Sequence, residues 1–142
     1  MDADIQLAPV DPDAPGRPVG EVPFWAETHE ALAADAPHRA WYVLHDGELV
    51  GLIGASDVGE GRAQVGYGVT PSHEGRGITS AALRALLTQL RQEGVTTVVA
   101  DTFVDHGASR RILEKAGFTL VSTSVEDVDG EEREVVRYEL QP

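Results

Sequence analysis

Cysteine is absent from this chain of 142 residues, which excludes disulfides, thiolate metal ligands and a cysteine nucleophile. No apolar run approaches the roughly 20 residues needed to span a bilayer. The first residues, MDADIQLAPV, lack the basic start and apolar stretch of a secretion signal. These absences lead to the expectation of a cytoplasmic chain without a membrane partner. Positive charge is scarce too: 11 Lys and Arg stand against 24 Asp and Glu, for a net charge of −13. Such a balance argues against a nucleic-acid partner held through a basic face. Lysine itself occurs once, at Lys115, beside ten arginines. At this length one domain, residues 1–142, with a real core is expected.

The charge is unevenly placed. Pro71–Gly117 carries Arg76, Arg84, Arg91, Arg110, Arg111 and Lys115 against five acids, net +1, which leaves −14 for the rest. This segment alone is hospitable to a polyanion, while the remainder would attract cations such as protonated amines. It also contains Val65–Ser80, VGYGVTPSHEGRGITS, where a strand pattern meets Gly75 and Gly77 and a helix pattern follows at once. Glycines at such a junction allow close backbone approach, and the first helical turn aims unpaired N–H groups at one point. That geometry suits a phosphate or pyrophosphate.

Periodicity predicts the elements. Ile5–Val10 reads as a short strand, Asp11–Gly20 as a Pro- and Gly-rich loop, and Phe24–Ala34 as a short helix. Ala40–Leu44 and Leu49–Ala55 flank Asp46-Gly47, a hairpin signal; a turn over Ser56–Gly61 and a strand over Ala63–Thr70 complete a meander. From Ile78 to Glu93 the period becomes helical, with Leu83, Leu86, Leu87 and Leu90 on one stripe and Gly94 as the stop. Val95–Thr102 is a β-branched run, Ala108–Ala116 a second helix, and Phe118–Glu126 and Glu131–Leu140 flank the hairpin pair Asp129-Gly130. A helix between strands implies a parallel crossover, so one mixed sheet with helices on its faces is expected.

Alone, Gly75-x-Gly77-x-x-Ser80 is a weak dinucleotide signal, because it follows a meander and lacks a third glycine. Two motifs together are more specific. Glu74-Gly75-Arg76-Gly77-Ile78-Thr79 after Pro71 resembles the cofactor motif Arg/Gln-x-x-Gly-x-Gly/Ala of the GNAT-type N-acetyltransferases. His106-Gly107-Ala108-Ser109-Arg110-Arg111-Ile112-Leu113-Glu114-Lys115-Ala116-Gly117-Phe118 resembles that family's later Asn-x-x-Ser-x-x-Val/Ile-Leu-Glu-Lys-x-Gly-Phe. With Val65-Gly66-Tyr67, it is similar to the branch that acetylates ribosomal-protein N-termini. The resemblance covers about Trp41 to Val121. It implies an α/β (α+β), three-layer fold with a mixed, mostly antiparallel sheet of about six to seven strands and helices on both faces.

The resemblance also implies acetyl-CoA as cosubstrate, no metal, and an amine-bearing acceptor, either a protein N-terminus or a small molecule. By position, Glu74, Gly75, Arg76, Gly77, Ile78, Thr79 and Ser80 inherit the pyrophosphate cradle. Backbone N–H groups of Val69 and Thr70 inherit the pantetheine and carbonyl contacts, and His106 the pantetheine contact. Ser109 matches the serine that the branch places near the sulfur, and so joins both the cofactor site and the chemistry; a capping role is its alternative. Three positions differ from the family pattern: Glu74 replaces Arg or Gln, Thr79 replaces Gly or Ala, and His106 replaces Asn.

The tyrosine many relatives use as the acid is Leu113 here, and the glutamate often found before the Gly-Tyr pair is Gln64. Glu21, Glu27, His29 and Glu30 flank the expected amine site, with a solvated surface as their plainer reading. Trp25 and Trp41 line either that pocket or the core, and His38, His45 and His73 lack metal-ligand spacing. The expected activity is acetyl transfer by direct attack of an amine. A non-catalytic acyl-CoA-binding or interaction module on the same fold is the alternative.

Overall fold

The computed structural model describes residues 5–11, 16–22, 25–26 and 38–142. Strand β1 (Ile5–Pro9) pairs antiparallel with β2 (His38–His45), and β2 turns into β3 (Glu48–Gly59). The turn works because Asp46 and Gly47 take left-handed φ of 51° and 83°, the twist that two-residue hairpins demand. Glu60 and Gly61 repeat the device at φ 58° and 74°, leading to β4 (Arg62–Val69). The turn expected over Ser56–Gly61 is therefore shorter. Ser56 and Asp57 pair with Gln64 and Ala63, so β3 extends past Ala55 to Gly59, and the register shift falls between Asp57 and Gly59.

Helix α1 (Ile78–Gln92) buries Ile78, Ala82, Leu83, Leu86, Leu87 and Leu90, while Arg84, Thr88 and Arg91 face solvent. Each fully buried leucine contributes roughly 1.5–3 kcal/mol, so this stripe anchors the crossover. Gly94 ends the helix at φ 91°, and Val95 N–H returns to the Leu90 carbonyl at 3.0 Å. The chain then enters β5 (Thr97–Phe103), α2 (Gly107–Lys115), β6 (Thr119–Val128) and β7 (Glu131–Leu140). The last two strands turn at Asp129 and Gly130, φ 53° and 82°.

The seven strands form one sheet in the order β1-β2-β3-β4-β5-β7-β6. Among the described strands, β4 and β5 alone pair in parallel. Both crossovers, β4–α1–β5 and β5–α2–β6, step in the same direction along this order, so right-handedness puts both helices on one face. The main core agrees: Leu83, Leu86, Leu113, Val65, Val98, Val136 and Tyr138 belong to one cluster. The opposite face buries Val22, Ala40, Tyr42 and Leu52 with Trp25 against them. Trp25 and Ala26 are helical; the rest of the helix expected over Phe24–Ala34 lies outside the described residues. Trp25 stacks on Tyr42 with ring centroids 5.6 Å apart, and Trp41 is buried in the main core. Strand β6 ends the sheet with nearly every side chain exposed. No described helix is long and apolar enough to cross a membrane.

Candidate active site

The site is built where β4 leaves β5. The two strands pair through Arg62–Thr97, Ala63–Val98 and Gln64–Val99, and beyond Gln64 they part. On its other side β4 stays bound to β3 as far as Val69, which lies opposite Gly51. Antiparallel partners alternate between hydrogen-bonded and non-hydrogen-bonded pairs. Thr70 N–H donates to the Val50 carbonyl at 2.8 Å, so the adjacent Gly51–Val69 pair is a non-hydrogen-bonded one. By the same alternation, the N–H and C=O groups of Tyr67 and Val69 point away from β3 and into the gap that β5 vacates. This corrects one expectation. The N–H of Thr70 is already committed to β3, so of these two residues Val69 alone turns its N–H to the gap.

Gly51 is what allows β4 to sit so close. A Cβ at this position would collide with the Gly68 carbonyl oxygen and come within 3.2 Å of Val69 Cα. Thr70 is itself almost wholly buried, and its hydroxyl lies 3.0 Å from His73 Nδ1, which is also 2.9 Å from Ser72 Oγ. His45 meets the His73 ring edge-on at 6.0 Å. These contacts brace the short turn of Pro71–His73 that carries the chain from β4 to the glycines.

Gly75 and Gly77 adopt φ of 75° and 76°, and a Cβ on either would project into open space. Gly77 caps α1 without a side-chain bond, and its own carbonyl is the first acceptor of the helix, receiving Ala81 N–H at 3.0 Å. Among the described residues, the N–H groups of Ile78, Thr79 and Ser80 thus have no backbone acceptor. No acid lies in the first turn. Donors, helix dipole and open space fit a pyrophosphate. Arg76 and Glu74 are both exposed on this rim, with Glu74 N–H turned back to the Pro71 carbonyl at 3.3 Å.

Across the gap stands the start of α2. His106 holds the cap position without a side-chain capping bond, is exposed, and keeps Nδ1 3.5 Å from Thr102 Oγ1. Ser109, two residues inside the helix, is buried and does not cap it. Its Oγ lies 3.0 Å from the hydroxyl of Tyr67, which is also 3.4 Å from the Ser109 carbonyl oxygen. Burial raises the Tyr67 phenol above its ordinary value, and the bond to Ser109 opposes that shift. In the sequence Tyr67 stands out only as part of Val65-Gly66-Tyr67, since nothing in a linear pattern reports a contact between residues 42 positions apart.

Helix α2 is fixed by Arg110, whose guanidinium donates to the Val104 carbonyl at 3.0 Å and the Tyr138 hydroxyl at 3.1 Å. The Tyr138 hydroxyl in turn donates a hydrogen bond to Glu114 Oε2 at 2.8 Å. Leu113 is fully buried, so its side chain belongs to the core. Gln64 Nε2 reaches Asp101 Oδ2 at 3.4 Å, and Arg137 holds that carboxylate in a two-point fork of 2.8 and 2.9 Å. Glu21 is exposed; Glu27, His29 and Glu30 lie outside the described residues.

A separate hollow of about 570 Å³ is lined by Arg39, Asp57, Gly61, Arg62 and Glu93. It opens at the start of β4 and β5, whereas ligands of open α/β sheets bind beyond the carboxyl ends of strands. The parting of β4 and β5 is therefore the better candidate.

The sheet thus opens between two parallel strands, with an N–H cradle at one mouth and a buried serine at the other. Residues 10–119 match the model of the acetyltransferase (GNAT) domain, and the chain belongs to that family. It is similar to YdaF of Bacillus subtilis (strain 168), 32% identical over 104 residues, which cover 69% of this chain and 56% of that protein. The ribosomal-protein-serine acetyltransferase of Escherichia coli (strain K12) is 31% identical over 85 residues, 58% of this chain and 48% of the relative. The chain thus spans about half the length of these curated relatives. Among solved structures, Mycobacterium smegmatis RimJ in complex with a CoA disulfide superposes with a TM-score of 0.71 at 25% identity, over 82% of this chain and 60% of that one.

Proposed function

We propose that this chain, as one domain over residues 1–142, transfers an acetyl group from acetyl-CoA to a primary amine by direct attack. The single observation that carries this reading is the Val69 N–H, turned into the gap between β4 and β5 with the glycine cradle beside it. The N–H groups around Gly75–Ser80 would hold the pyrophosphate, with Arg76 offering added charge and Glu74 facing solvent. Val69 N–H would bond the thioester oxygen, where negative charge grows as the amine attacks. Ser109 would hydrogen-bond the sulfur, and His106, at the exposed cap, would border the pantetheine arm. When bound, acetyl-CoA supplies an activated acetyl group and a thiolate that can leave.

A protein N-terminus is the acceptor favoured by the relatives' names, which mention ribosomal proteins, and a cytoplasmic setting accords with such targets. The acidic remainder of the chain supports an acceptor that arrives as a cation and is deprotonated before attack. Calorimetric titration with acetyl-CoA and desulfo-CoA, followed by thiol release with serine- and alanine-starting peptides and small amines, tests the reading. Binding with thiol release upholds it. Binding with no release from any amine would instead mark a coenzyme-binding module.

A further inference from the structure

Tyr67 of β4 reaches across the gap to touch the start of α2 on the opposite wall. It comes from near the end of the strand, two residues before Val69 and opposite Ile53 of β3, and ends 3.0 Å from Ser109 Oγ. We propose that Tyr67 is a positioning residue for acetyl transfer, holding Ser109 by a phenol hydrogen bond so that the serine's own proton points at the sulfur. The proposal rests on the acetyl-transfer reading and assigns Tyr67 no contact with substrate.

The chemistry follows from counting donors. A serine hydroxyl has one proton and two lone pairs, and in a helix it tends to turn back on the carbonyls of the preceding turn. Such a serine would present lone pairs, not a proton, to a developing thiolate. A phenol donating into Oγ occupies one lone pair and competes with that backward rotation. The Ser109 carbonyl, 3.4 Å from the same phenol oxygen, competes for its single proton, and Oγ at 3.0 Å is the nearer acceptor. Burial favours the protonated phenol, so the donor persists where amines are neutral enough to attack. In the transfer itself the amine nitrogen bonds the acetyl carbon and the carbon–sulfur bond breaks. The electron pair stays on sulfur, which accepts the Ser109 hydrogen bond, and the amine proton goes to water.

The test compares wild type, Tyr67→Phe, Ser109→Ala and the double variant. Affinities for CoA and for desulfo-CoA are measured by calorimetry, and kcat and KM with a serine-starting peptide. Desulfo-CoA affinity should stay the same in all four. The wild type's preference for CoA over desulfo-CoA should fall about three- to tenfold in Tyr67→Phe, the range of one hydrogen bond, with a similar loss in kcat. Adding Tyr67→Phe to Ser109→Ala should cause no further loss, because the two act as one unit. An unchanged kcat in Tyr67→Phe, losses that multiply in the double variant, or a parallel fall in desulfo-CoA affinity each overturn the proposal. Should circular dichroism show that Tyr67→Phe disturbs the fold, 3-fluorotyrosine at position 67 keeps the ring and sharpens the donor, and an unchanged kcat then counts against it. Wild-type protein that binds acetyl-CoA and never releases thiol defeats the underlying reading; an active wild type indifferent to Tyr67 defeats this proposal alone.

Discussion

Arg110 and Glu114, one turn apart on α2, close on the same hydroxyl: Arg110 donates to Tyr138 at 3.1 Å and Tyr138 donates to Glu114 at 2.8 Å. Tyr138 sits in β7 at 1% exposure, so this bond ties the helix that carries Ser109 to the centre of the sheet. Tyr138→Phe removes the hydroxyl and leaves the ring. It should cost about 1–2 kcal/mol, the usual effect of losing a buried hydrogen bond, seen as a lower thermal unfolding midpoint. A midpoint equal to wild type would show that the helix is held without it.

Gly51 permits β4 to lie against β3 just before the site. In Gly51→Ala the new methyl must displace the Gly68 carbonyl or the Val69 backbone. Overpacking of this kind costs about 1–3 kcal/mol. Because the displaced atoms belong to the strand that carries the Val69 N–H, acetyl-CoA affinity should fall along with stability. Urea unfolding and calorimetry on the same preparation check both, and a stability loss with intact affinity would separate the strand from the ligand.

Gly77→Glu places a side chain where φ is 76° and a carboxylate where the N–H groups converge. Left-handed backbone costs a non-glycine residue roughly 1–2 kcal/mol, so the fold should survive. Acetyl-CoA affinity should drop beyond the reach of calorimetry, well over tenfold, through repulsion of the pyrophosphate. Undiminished binding would place the cradle elsewhere.

Arg39 and Glu93 form a two-bond fork of 2.9 and 2.7 Å between β2 and the end of α1. The hydrogen bonds from Arg39, and then from Gln89, hold the Glu93 carboxyl below its ordinary value of 4.5. The unfolded chain therefore takes up this proton at higher pH than the folded one. The contribution is present above the ordinary carboxylate range and disappears as pH falls through the folded value. At pH 7 Glu93→Gln should cost under about 1 kcal/mol, as both side chains are substantially exposed. In urea titrations the gap between variant and wild type should narrow as the pH is lowered below the ordinary carboxylate range; a gap that never narrows in acid would assign the effect to packing.

The left-handed turn at Gly75 and Gly77 was legible because it is local, within a few residues of the helix it opens. The hairpins at Asp46-Gly47 and Asp129-Gly130 and the leucine stripe of α1 were legible for the same reason. What escaped depends on pairing at a distance. Ser56 and Asp57 have turn chemistry yet lie in β3, because Gln64 and Ala63 offer them a ladder. Thr70 has a strand-end position like that of Val69, yet its N–H faces the other way, a distinction made by register and not by residue type. The meeting of Tyr67 with Ser109 belongs to the same class.

Three matched residue pairs are all that sew the two halves of the sheet together along β4 and β5. Among the described strands this seam has the fewest paired residues, and a guest whose amides complete it would act as a missing strand. Heat resistance should then track how full the slot is, rising by RT ln(1 + [L]/Kd), so that a simple melting curve becomes a gauge of occupancy.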